Sequence, residues 1–140
     1  MSDKAHVLVV ANRTAESEEL LAALKQRAES APTRFTLLVP ATPHGVAWAA
    51  DMHSGGDEAE AHMNKALQRF KEAGLEISGL LGDPDPIAAV QDAVNADDGY
   101  DSAVVSTLPT HLSRWLKLDL PRRVERTTGL PVEHVQATAE

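Results

Sequence analysis

Three groups of side chains in this 140-residue sequence have types and spacing that could do chemistry. Ser106 and Thr107 close a short apolar run, so their hydroxyls stand at the end of a candidate strand, and Ser113 and Arg114 follow shortly after. Asn12, Arg13 and Thr14 close an earlier apolar run in the same way. Hydroxyls, an amide and guanidinium groups gathered at strand ends are the donors that a small anion needs, and arginine is the side chain best shaped for phosphate or carboxylate. The second group is the basic stretch Arg114 to Arg126. There Arg114, Lys117, Arg122, Arg123 and Arg126 stand against Asp119 and Glu125, a surplus of three positive charges on a chain of net charge −8. A helix face paired with acidic neighbours accounts for such a run as readily as an anion site does. The third group is His44, His53 and His62, which recur near Asp51, Asp57, Glu58 and Glu60. Their spacing matches no metal-binding pattern, so a polar loop is the better reading and no metal site is assigned.

Other chemistry is excluded or explained more simply. The chain has no cysteine, which removes disulfides, thiolate metal sites and a thiol nucleophile. No serine sits in a glycine-flanked nucleophile elbow, and His111 is too near Ser106 in sequence to imply a triad, so no catalytic residue is assigned. Asp83 and Asp85, flanked by Pro84 and Pro86, read as helix caps rather than an acid–base pair. The 21 acidic residues outnumber the 13 basic ones, which argues against nucleic acid or an anionic membrane as partner. The apolar run Val7 to Ala11 is far too short to span a membrane, and Met1-Ser2-Asp3-Lys4 lacks the pattern of a signal peptide. The expectation is a soluble cytoplasmic protein.

The elements that must position these residues follow from periodicity. His6 to Ala11 is nearly all apolar, as expected of a strand buried on both faces. Leu20, Leu21, Leu24 and Ala28 recur at helical spacing over Ser17 to Ala28, with Thr14 or Ser17 as cap. Phe35 to Val39 is a second strand, closed by Pro40. Ala41 to Gly56 follows as a long irregular stretch that holds His44, Gly45, Trp48 and His53. A second helix runs from Asp57 to about Ala73, with Ala59, Met63, Ala66, Leu67 and Phe70 as its apolar stripe and Gly74 just past its end. Leu75 to Leu81 reads as a third strand in which Ile77, Gly79 and Leu81 alternate with smaller or polar neighbours. Gly82 to Pro86 is a turn opening a third helix through Val94, capped by Asp83 or Asp85. Asp101 to Ser106 is the fourth strand. Leu112 to Thr128 is helical but interrupted at Pro121, with Asp119 capping its second segment and Trp115 on an apolar face. Gly129 ends that segment, and Pro131 to Val135 is a last strand.

Strands separated by helices demand parallel crossovers, so the chain predicts an α/β fold: one open parallel sheet with helices on both faces, in a single domain over residues 1–140. Ligands in such folds sit beyond the carboxyl ends of the strands, where the strand order reverses. The candidate site residues are therefore Asn12, Arg13, Thr14, Val39, Pro40, Gly82, Ser106, Thr107, Ser113 and Arg114.

The whole chain resembles the universal stress protein superfamily. The first strand and its polar turn, Val7 to Thr14, stand where that family has its opening strand and turn. Gly82-Asp83-Pro84 with Ile87 and Ala89 looks like the family's Gly-x-Pro element, and Ser106 to Val135, with Leu112-Ser113-Arg114 and Gly129-Leu130-Pro131-Val132, looks like its C-terminal third. The resemblance implies five parallel strands in the order 3-2-1-4-5, of the adenine nucleotide alpha hydrolase-like type. It also implies ATP or another adenine nucleotide as candidate ligand, and a homodimer through the last strand, Val132 to Val135. Nucleotide-binding members carry Gly-x-x-Gly, nine residues, then glycine and a hydroxyl residue. Here those positions are Ser106, Pro109, Asp119 and Leu120, and the family's adenine-side aspartate is Asn12. Proline has no N–H to offer a phosphate, and Asp119 would set a carboxylate beside it. The leading expectation is a non-enzymatic stress-response module that holds a small anion or nucleotide. The alternatives are an ATP-binding protein with weak hydrolysis through a rewritten loop, and a protein-interaction domain with no ligand.

Overall fold

The computed structural model describes residues 5–11, 15, 17–40, 54–82, 85–96, 99–107 and 119–136, with side chains in the 54–72 helix from residue 60 onward. Among the described residues five strands alternate with four helices: β1 (Ala5–Val10), α1 (Glu18–Ser30), β2 (Thr33–Pro40), α2 (Ser54–Glu72), β3 (Glu76–Gly82), α3 (Pro86–Ala96), β4 (Ser102–Thr107), α4 (Leu120–Thr128) and β5 (Val132–Gln136). The strands form one sheet in the order β3-β2-β1-β4-β5, parallel at every pairing. This is the order that the resemblance implies.

The continuous apolar run of β1 has a direct structural cause. β1 is the middle strand, hydrogen-bonded on both sides, and Val7 to Val10 are almost fully buried. Alternate residues serve opposite faces. Val7, Val9, Phe35, Leu37, Val39, Ile77, Val104 and Val135 meet Leu20 and Leu24 of α1 and Met63, Ala66 and Phe70 of α2. Leu8, Val10, Leu38, Ala103 and Val105 meet Ala89, Val90 and Ala93 of α3 and Leu120 and Val124 of α4. Each valine, leucine, isoleucine, phenylalanine or methionine among them contributes about 1.5–3 kcal/mol by leaving water.

The helix ends explain themselves locally. Ser17 Oγ accepts the Leu20 N–H at 3.1 Å, and Asp85 Oδ1 accepts the Ile87 N–H at 3.1 Å, so the caps are Ser17 and Asp85. Gly129 closes α4 at φ 75°, where its N–H donates to Glu125 O at 2.8 Å. Asp119 departs from expectation. It precedes α4, but its carboxylate caps nothing and reaches Arg122 Nε at 3.8 Å instead; its backbone lies in the left-handed region at φ 56°. That backbone turns the chain into α4, and the Asp119 carbonyl accepts the Arg123 N–H at 3.0 Å.

Several boundaries move. β2 begins at Thr33 and includes Pro40, and α1 continues to Ser30, whose hydroxyl donates to Gln26 O at 3.0 Å. α2 begins at Ser54, so the irregular stretch expected to reach Gly56 is shorter. Two glycines in a first turn are tolerated when the rest of a 19-residue helix propagates beyond them. Gly82, expected in a turn, is the last residue of β3, and β5 extends to Gln136. Within β5, Val132 and Val135 turn toward the chain's two cores, while Glu133, His134 and Gln136 are exposed. Trp115 and the first segment of the interrupted helix lie outside the described residues.

Candidate functional site

The strand order reverses at β1: β2 and β3 lie on one side and β4 and β5 on the other. The carboxyl ends of β1 and β4 therefore flank the crevice where this architecture places ligands. Their register pairs Val10 with Val105, so the chain leaves β1 at Ala11 beside the Ser106–Thr107 end of β4. Ala11 is buried and its N–H donates to Leu38 O at 3.2 Å.

Ser106 and Thr107 are both buried, unusual for hydroxyl residues, and as strand neighbours they project to opposite faces. Ser106 lies on the α1 side of the sheet. Thr107 lies on the α4 side, where its Oγ1 and His134 Nε2 share a hydrogen bond of 2.7 Å, the tautomer deciding which donates. Partial burial lowers the pKa of His134 below its ordinary 6.5, because desolvation penalises the imidazolium. His134 is the site-end residue that the sequence reading missed. Its only signal is register: Val105 pairs with His134 and Thr107 with Gln136, so Thr107 and His134 are diagonal neighbours on one face.

Val39, Pro40 and Gly82 come together on the far side of β1, with Pro40 paired to Gly82. Val39 contributes its side chain to the core rather than to a ligand. Gly82 has a packing reason to be glycine: a Cβ there would lie 2.6 Å from Ala89 Cβ and 2.9 Å from Leu38 Cδ1. These three residues lie at the carboxyl ends of β2 and β3, and Ser106 and Thr107 bring the described polar side chains at the end of β4. Asn12, Arg13, Thr14, Ser113 and Arg114 lie outside the described residues, as do His44 and His53. Among the described residues no group of three His, Asp or Glu could hold a metal ion, and no helix is long and apolar enough to cross a membrane.

A second polar cluster sits at the opposite, amino end of the sheet. The His6 N–H donates to Asp101 Oδ2 at 2.8 Å, and the Asp101 N–H returns to His6 O at 2.8 Å. His6 Nε2 and Thr36 Oγ1 are 2.9 Å apart, and the His6 ring lies 4.1 Å from that of Tyr100. This cluster fastens β1 to β4 and sits away from the crevice.

Comparison with solved structures decides the architecture. A universal stress protein from Archaeoglobus fulgidus superposes with a TM-score of 0.66 over 94% of this chain and 93% of its own, at 15% identity. The universal stress protein from the same organism in complex with dAMP gives 0.60 over 96% and 99%, also at 15% identity. A universal stress protein in complex with cAMP gives 0.59 over 97% and 99%, at 18% identity. The chain has the universal stress protein fold. No protein-family model matches the sequence, and no curated protein does. Within the universal stress fold, Asp119 takes on a new meaning. It stands where the resemblance places the third glycine of the phosphate motif, and its own backbone is left-handed, a conformation that glycine adopts without strain.

Proposed function

We propose that this chain, read as one module over residues 1–140, is a non-enzymatic stress-response domain that holds an adenine nucleotide or a related small anion. The ligand sits at the carboxyl ends of β1 and β4. The observation that carries the reading is the buried Ser106–Thr107 pair at the end of β4, in a fold whose solved relatives include complexes with cAMP and dAMP. In this reading Asn12, Arg13 and Thr14 approach from the loop after β1, and Ser113 and Arg114 from the segment after Thr107. Guanidinium groups take over the phosphate from the glycine amides that this chain lacks. Cytoplasmic location and self-association belong to the same reading.

Mass spectrometry of the denatured, freshly purified protein tests it, together with calorimetric titration of cAMP, AMP and ATP. The expected result is an adenine nucleotide released on denaturation or bound on titration. Binding should weaken in Arg114→Ala and in Thr107→Val, with no phosphate release from ATP above the buffer rate. Absence of nucleotide from the purified protein, with no binding of any of the three, overturns the proposal. Steady release of phosphate from ATP replaces it with a weak hydrolase.

A further inference from the structure

His134 stands between two surroundings. On β5 it is exposed to water, yet its Nε2 lies 2.7 Å from the buried Oγ1 of Thr107 at the crevice end of β4. The pair joins a group that water can protonate to a hydroxyl inside the protein. A hydroxyl has one proton to donate, and neutral imidazole carries its own on Nδ1 or on Nε2. With the proton on Nδ1, Nε2 can only accept, so Thr107 gives its proton to the histidine and presents lone pairs to any other neighbour. With a proton on Nε2, the ring donates to Oγ1, and the Thr107 proton can go to another acceptor. Imidazolium has both protons, so it always donates.

The charges around His134 leave it able to titrate. On its face of the sheet, β4 brings no ionisable group from Ser102 to Thr107, and α4 brings Arg122, Arg123, Glu125 and Arg126, all exposed. Asp119 is turned toward Arg122 at 3.8 Å. Glu133, the neighbour on β5, projects to the opposite face, where Arg27 of α1 holds its Oε1 through Nε at 3.0 Å and Nη2 at 2.9 Å. Burial, rather than any of these charges, is what lowers the pKa of the ring.

We propose that His134 is a positioning residue for the ligand: on protonation it turns the Thr107 hydroxyl toward the anion, so that the crevice takes up its anion together with one proton. The inference rests on the reading that the ligand sits at the carboxyl ends of β1 and β4. An anion accepts from a hydroxyl that offers its proton and is repelled by one that offers lone pairs. It therefore favours the state in which Nε2 donates, and the imidazolium charge adds to that preference. Coupling is reciprocal: if the proton tightens the anion, the anion tightens the proton. The proton comes from solvent and stays on the ring, and no bond to the ligand is made or broken.

Calorimetric titration of the full chain with cAMP, whose phosphodiester keeps one negative charge in this range, tests the proposal. Affinity should rise about fivefold from pH 7.5 to pH 5.5, about one unit either side of the free-histidine value. Thr107→Ser should keep that rise, and Thr107→Val should lose it. His134→Gln, whose amide donates at any pH, should bind with a flat profile. A purely structural hydrogen bond would leave the wild-type profile flat. In the wild type, the His134 ring midpoint followed by NMR should move up on saturation with cAMP, a result that stands even if a variant fails to fold. Binding of cAMP with a flat wild-type profile, a rise that persists in His134→Gln, or an unmoved ring midpoint overturns this inference and leaves the proposed function standing. Absence of cAMP binding at both pH values also overturns it, and only with AMP and ATP equally silent does the proposed function fall too.

Discussion

Thr107 and His134 share a hydrogen bond of 2.7 Å across the β4–β5 ladder, joining a buried hydroxyl at the crevice to a histidine on the exposed edge. The imidazole has a lowered pKa because burial disfavours its charged form. The unfolded chain, with histidine near 6.5, therefore binds a proton more readily than the folded one. His134 contributes stability that is fully present above pH 6.5 and is lost as pH falls through its folded pKa. The urea midpoint should drop between pH 7.5 and pH 5.5 (about one unit either side of the free-histidine value), and His134→Gln should flatten part of that drop. An NMR titration of the His134 ring should give a midpoint below 6.5.

Thr107→Val removes the hydroxyl and leaves the half-exposed imidazole free to take water. The cost should be about 1 kcal/mol, the net worth of one hydrogen bond, read from urea denaturation at neutral pH. Any effect of the same variant on nucleotide affinity is separable, because stability and binding are measured independently.

Gly82→Ala should destabilise by about 1–3 kcal/mol, the usual cost of forcing an extra carbon into a packed contact. The new methyl would meet Ala89 Cβ at 2.6 Å, and α3 must shift to admit it. Replacing Ala89 as well, by glycine, should recover part of the loss in a double-mutant cycle. Recovery would show that the helix contact, not a ligand, is what requires glycine there.

At position 119, glycine should be more stable than alanine by about 1 kcal/mol, because alanine bears the full penalty of the left-handed backbone. That is opposite to the order expected inside a helix. The φ of 56° is what reverses it. Thermal unfolding of Asp119→Gly and Asp119→Ala measures the difference directly.

Arg27→Ala should cost under about 1 kcal/mol despite its bonds to both Glu133 and Ser102, since exposed ion pairs contribute little. The side chains are 29% and 46% accessible. The small difference should shrink further in 1 M salt (Debye length about 3 Å).

The sequence made the two-faced burial of β1 legible, because an unbroken apolar run has few other homes. It also made Ser17 and Asp85 legible as caps. Gly82 was misplaced for an identifiable reason: Gly-Asp-Pro is turn chemistry read locally, whereas the need for glycine comes from Ala89 folding back in the next helix and from Leu38 of β2. Leu81 shows a second limit. Alternation assigns it to the same face as Ile77, but Ile77 is buried and Leu81 is not, since alternation does not say how far along a strand the covering side chains reach. At the site, strand-end hydroxyls were visible as a pattern. His134 was not, because its partnership with Thr107 arises only from the parallel register of two strands joined through α4.

The clasp between His6 and Asp101 has a mechanical consequence. Two backbone N–H donors, one to a carbonyl and one to a carboxylate, bind the feet of β1 and β4 reciprocally. From that pivot to the last paired residue of β1, Val10, the lever arm is four residues, or about 13 Å at 3.3 Å per residue. Any spreading of these strands is thus largest at their far tips, beside Ala11 and Ser106. The ladder from Val7–Ser102 to Val10–Val105 carries that hold along the strands up to the edge of the crevice.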